Sequence, residues 1–215
     1  MKAWHFLCED RRTQHTGELV EAGTVLRASA KPLRLCAYGL HASEKALDAL
    51  HFAPGPVVCR VELSGDILRG TDKVCASERK VLSVDTADPV LHEFACWCAE
   101  RALTQVVHPD PRSVDAIAAK RVGVRGEAME AAVRAAREAS TAAAVRWDPN
   151  KWETVLGRRA AITALMAVQF QSAVDCARMA AKAWAPTRWG DWLEVHKQNE
   201  ELERCFCELL GQNTQ

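Results

Sequence analysis

Gly39, His41 and Ser43 stand at alternate positions in the segment CAYGLHAS (36–43), and a short amphipathic pattern follows at once. Glycine allows a tight turn, serine is a favoured helix N-cap, and free N–H groups at a helix start attract an anion. An imidazole beside them would orient a ribose or a phosphate. The cations that would complete such a nucleotide site are Arg60, Lys73 and Arg79, and the carboxylate that would act as its acid or base is Glu78. A plain turn and cap needs the same residue types: Gly39 turns the chain, Ser43 caps a helix and His41 packs. The first reading gives a nucleotide-binding protein or an enzyme built on His41 and Glu78. The second gives a protein with no catalytic residue and no cofactor.

Metal chemistry has less to recommend it. Cys8, Cys36, Cys59, Cys75, His5 and His41 would converge only if a small sheet brought them together. The chain has no CxxC pair and no His-x3-His pair. Cys96 and Cys98 are two apart on a helical pattern, so they point away from each other, and Cys205 and Cys207 repeat that spacing. Cysteines at apolar-face positions act as small hydrophobes. No metal is expected. The glycines are scattered singly, so no phosphate-cradling loop is visible either.

Five tryptophans crowd the last third: Trp147, Trp152, Trp184, Trp189 and Trp192. The first two flank an Asp-Pro turn, and the others flank the turn APTRWGDW (185–192). They are either aromatic plugs at the ends of a helical bundle or a protein-binding surface, because Trp is favoured at interface hot spots.

The elements that position these residues fall into two groups. Residues 1–87 read as a small mixed sheet with one helix. KAWHFL (2–7), GTVLRAS (23–29), GPVVCRVELSG (55–65) and KVCASERKVLSV (73–84) are the strands, and the third alternates Val57, Cys59, Val61 and Leu63 against a polar face. SEKALDALHF (43–52) is the helix, with Ser43 at its cap. From residue 88 the pattern is helical and rich in alanine, punctuated by the pairs Asp88-Pro89, Asp110-Pro111 and Asp148-Pro149. Helices are expected near 89–106, 111–123, 126–146, 149–184 and 188–210, the fourth broken at Gly157. The last has an amphipathic stripe of Val195, Leu202, Phe206 and Leu209, which suits either closing the bundle or pairing two chains in a homodimer. The expected class is α+β: a sheet domain (1–87) and an Ala-rich helical bundle (88–215), packed together.

The whole chain sets further bounds. It has 215 residues, 28 basic and 28 acidic, for a net charge of +0. That balance argues against binding nucleic acid or an anionic membrane through bulk charge. The start MKAWHFLCEDRRTQH lacks the apolar core of a signal peptide, and no run approaches the ~18 apolar residues of a membrane span. A cytoplasmic protein is expected, with its nine cysteines reduced.

Two resemblances add to this reading. The blocks AWHFL, LCAYGLHASEKALDAL and PGPVVCRVELSGDILRGTDKVCASERKVL make residues 3–84 similar to an uncharacterised family of bacteriophages and prophages. The words LHEFACWCAERAL (91–103) and DPRSVDAIAAKRVGVRGEA (110–128), with the Ala-rich helix after them, resemble the helical immunity-protein family of bacterial polymorphic toxin systems. The resemblances imply a phage or prophage accessory protein that binds a host or competitor protein in a bacterial cell, as a counter-defence factor or immunity-like inhibitor. The Gly-x-His-x-Ser segment also resembles that of ADP-ribosyltransferase-like folds, which implies the alternative of an enzyme around His41, with Glu78 as its acid.

Overall fold

The computed structural model describes residues 1–13, 17–29, 32–184 and 192–211, without the side chain of Trp192. The fold is α+β. In chain order it runs β1 (Lys2–Leu7), β2 (Val25–Arg27), β3 (Leu40–Ala42), α1 (Ala46–His51), β4 (Val57–Arg69), β5 (Val74–Thr86), α2 (Asp88–Leu103), α3 (Pro111–Arg121), α4 (Glu127–Val145), α5 (Trp152–Val168), α6 (Ala173–Trp184) and α7 (Trp192–Leu209). Two compact units result: Met1–Val90 together with Asn199–Gln215, and Leu91–Gln198.

The first unit is built on the β4–β5 hairpin. The strands lie in the order β1-β4-β5-β2, with β3 also pairing to β5, and every ladder is antiparallel rather than mixed. The hairpin carries two register shifts, after Arg60 and between Ser64 and Ile67. Gly65 makes the second shift feasible. It sits at φ 72°, and a Cβ there would lie 2.2 Å from Ser77 Oγ, which accepts the Asp66 N–H at 2.9 Å. Bulges of this kind bend and twist a ladder, so the long hairpin curls. One face of the sheet collects Ala3, Leu7, Val57, Cys59, Val61, Leu63 and Val81 into a core, with Val20 beside them.

The opposite face carries Trp4 and Phe6. It is closed by the C-terminal part of α7: the Phe206 ring lies 5.5 Å from Trp4 and 5.7 Å from Phe6, centroid to centroid. Glu203 accepts from both Trp4 Nε1 and the Ala46 N–H, and Asn199 Oδ1 accepts the Leu47 N–H at 3.0 Å. Leu202 and Phe206 of the expected stripe are buried here. The end of the last helix therefore closes the sheet, where the sequence suggested the bundle.

α1 begins at Ala46, after an N-cap, Lys45, whose side chain makes no cap bond. Ser43 is not the cap. Its backbone bridges Trp4 in both directions, and its Oγ donates to the Asp72 carbonyl at 2.8 Å.

In the second unit, alanine lets helices approach closely. Ala136 and Ala139 of α4, Ala160, Ala161, Ala164 and Ala167 of α5, and Ala177, Ala180 and Ala181 of α6 are all buried. Asp110 caps α3 as its Asp-Pro pair predicts, accepting the Arg112 N–H at 3.0 Å. The expected long fourth helix is two helices, and the break is not at Gly157. That glycine lies inside α5 with open space around it, so the helix continues through it. The chain breaks between Val168 and Ala173, where Ser172 accepts the Asp175 N–H through Oγ and the Cys176 N–H through its carbonyl. Those bonds start a new helix.

Candidate functional site

Strand pairing brings three basic side chains toward one place on the inner face of the sheet. β1 sets His5 opposite Cys59, β3 sets His41 opposite Cys75, and β4 sets Leu63 opposite Arg79. Directly paired residues share a face. The His41 carbonyl is the junction: Arg79 Nη1 donates to it at 2.8 Å, and the His5 ring also hydrogen-bonds to the His41 backbone.

The His41 ring has a structural task as well. Its Nε2 accepts the Cys36 N–H at 3.1 Å, and Cys36 holds a left-handed φ of 61°. An accepting Nε2 places the proton of the neutral ring on Nδ1. A second hydrogen bond joins the ring to the Gly39 backbone. Gly39 itself is required by contact: at φ 121°, a Cβ would stand 2.2 Å from Cys75 Sγ and 2.8 Å from Leu33 Cδ2. The CAYGLHAS segment is thus a wound loop pinned by His41, followed by β3.

Electrostatics in this cluster are set by burial and by cations. The His5 pKa is lowered well below its ordinary value, first by burial, then by Arg79 and His41. That of His41 is lowered by burial, with Lys73 and Arg79 adding to it against the backbone bonds to Gly39 and Arg34. Both rings are therefore neutral at pH 7. Burial pushes the Cys59 thiol up to about 12. It lowers Arg79 to about 10, which leaves a full cation at neutral pH.

The other sequence candidates do not join. Glu78 neighbours Arg79 on β5 and so projects to the other face, where it accepts from Arg27 Nε at 2.9 Å and from Ser64 Oγ at 3.3 Å. His41 and Glu78 are not a catalytic pair in this arrangement. Arg60 is paired with Trp4 and lies over its ring, 4.2 Å from the centroid, on the face that α7 closes. Lys73 Nζ is placed 3.4 Å from Cys36 Sγ, 3.8 Å from Asp72 and 3.8 Å over the Phe52 ring. Among the described residues, no group of three or more His, Cys, Asp or Glu is placed to hold a metal ion.

His5 is the member of the cluster that reasoning about nucleotide sites missed. Its signal is the strand geometry of KAWHFL, in which alternate residues put His5 on one face with Ala3 and Leu7.

The tryptophans divide. Trp147 is 43% and Trp152 64% exposed, whereas Trp184 is buried at 8%. Arg158 lies 4.9 Å from the Trp147 ring centroid. Trp189 and the side chain of Trp192 lie outside the described residues. So Trp184 is buried, and Trp147 and Trp152 offer surface at the connection from α4 to α5.

No curated protein and no solved structure matches the chain. The family model described as Domain of unknown function (DUF7666) matches residues 4–93, which take in the sheet from Trp4 onward, α1 and the start of α2, so this part of the chain is similar to an uncharacterised family.

Proposed function

We propose that the protein is an accessory binding protein of phage or prophage origin that engages a host or competitor protein inside a bacterial cell, as an immunity-like or counter-defence inhibitor, without catalysis of its own. The observation that carries this reading is the exposed apolar connection from α4 to α5. Val145 is 82% exposed, and Trp147 and Trp152 follow it within a few residues. Interfaces favour Trp and Arg, and the Arg158 guanidinium beside the Trp147 ring supplies both at one point. The engagement of Glu78 by Arg27 and Ser64, away from His41, supports the reading against the enzyme alternative.

The test is affinity capture from a bacterial lysate with cross-linking, comparing wild type with Trp147→Ala/Trp152→Ala. Truncating interface hot spots costs on the order of 2 kcal/mol or more, a loss of roughly 30-fold in affinity. The wild type should retain a defined protein that the double variant loses while its melting temperature is unchanged. Equal retention by both proteins would contradict the proposal.

A further inference from the structure

Arg79 is placed where a cation seldom stands alone. It is 5% exposed, in mid-β5, with Leu63 opposite it on one side and Leu26 on the other. Buried charges in proteins are normally paired, because an unpaired one pays its full loss of hydration. Among the described residues no carboxylate meets this guanidinium. Nη1 donates to the His41 carbonyl, and the buried Nε has no partner among the described residues. Glu78, the nearest acid along the strand, is held on the other face by Arg27 and Ser64.

The geometry of the unpartnered edge is specific. With Nη1 turned to a backbone carbonyl, the Nε–Nη2 edge is left, and that edge grips an oxyanion with two parallel N–H donors. The surroundings are cationic or neutral. The His41 ring feels Arg79 and Lys73 and no carboxylate, and the His5 ring feels Arg79 and His41. The Cys59 thiol beside Arg79 stays protonated at neutral pH. Such a field favours a group that carries two negative charges over one that carries a single charge.

The geometry points to a binding site for the phosphate group of a small molecule, gripped by the Nε–Nη2 edge of Arg79 on the sheet face that carries His5, Cys59 and His41. The inference is independent of the protein-binding surface at Trp147 and Trp152, which lies in the other unit. It asks for no catalytic step: the site holds a phosphate and does not cleave it.

The experiment titrates the full chain with inorganic phosphate, with ADP and, as the carboxylate arm, with succinate. Melting temperature and ³¹P line widths are the readouts. A ligand at a hundredfold excess over its Kd should raise the melting temperature of a domain of this size by roughly 5–10 °C. Phosphate or ADP should give that rise in wild type and in Trp147→Ala/Trp152→Ala. Arg79→Met should melt at or above the ligand-free wild type, since it removes an unpaired buried charge, and should show no rise. Arg79→Lys keeps the charge but loses the two-pronged edge, and its response should fall at least tenfold in apparent affinity. The wild-type titration decides the matter even if Arg79→Met does not fold. A wild type that responds to neither phosphate nor ADP would overturn the site. So would an Arg79→Met or Arg79→Lys variant that responds as the wild type does. A response to succinate alone would overturn the phosphate assignment.

Discussion

Two arginines, one in each unit, meet opposite fates. Arg121 at the end of α3 is a third exposed, and its guanidinium is fully engaged: Nε and Nη2 bond to Glu100 of α2 at 2.6 and 2.8 Å, and Nη1 bonds to Glu93. Its partners raise its pKa, the bonds to Glu100 foremost. Arg79 in β5 is buried, has the His41 carbonyl as its one hydrogen-bond partner among the described residues, and has its pKa lowered by burial. The carboxylates around Arg121 come from a neighbouring helix, so these ion pairs tie α3 to α2. The sheet unit leaves a cation unsatisfied where that state costs most. The engaged charge of Arg121 reads as structure, and the unsatisfied charge of Arg79 calls for an explanation of its own.

The contrast extends to how each unit is closed. The helical unit packs alanine seams, in which each contact is small. The sheet unit depends on a few large side chains, above all Phe206 against Trp4 and Phe6. Phe206→Ala is expected to have the largest effect on stability, a loss of about 3–5 kcal/mol, because it opens a cavity where the ring is fully buried. Denaturant unfolding measures it. A loss under about 1 kcal/mol would mean that α7 does not close the sheet.

A smaller effect separates the units by pH. His5 and His41 are neutral in the fold, with their pKa values lowered, and titrate near 6.5 when unfolded. Below that pH the unfolded chain takes up protons that the folded chain does not. Stability is therefore undiminished by these rings above about pH 6.5 and falls as the pH drops from there toward their folded pKa values. Denaturation midpoints measured from pH 7.5 to 5 should decline in wild type and decline less in His5→Gln/His41→Gln. Parallel curves for the two proteins would show that the rings are not held neutral.

How far this was legible in the sequence differs by element. The alternation of Val57, Cys59, Val61 and Leu63 gave the start of β4, because one buried face imposes a period of two, whereas β1 is a short apolar run buried on both faces. Asp110 announced α3 because a cap is a local interaction. β3 is three residues held by pairing to β5, which has no local signature. The break near Ser172 has no glycine to mark it, while Gly157, in an open helix face, costs only about 1 kcal/mol and does not end α5. Ser43 has the composition of a cap, but the turn that carries Asp72 takes its hydroxyl first. The site was legible only in part. Gly39, His41 and Arg79 were candidates, but Arg79 in ASERKVL reads like a surface cation. Its burial follows from a register shared with Leu63 and Leu26, and register is a long-range property. Glu78, its sequence neighbour, was grouped with it for want of the same information.

The most direct test of the contrast is to replace each arginine by methionine and compare ligand-free melting. Arg121→Met should lower stability by about 1 kcal/mol, a modest loss because the pairs it breaks are partly exposed and screened. Arg79→Met should leave stability unchanged or raised, because no carboxylate partner among the described residues is lost and a buried charge is removed. The opposite ranking, with Arg79→Met the more destabilised of the two, would make Arg79 a structural residue like Arg121 and would contradict the account.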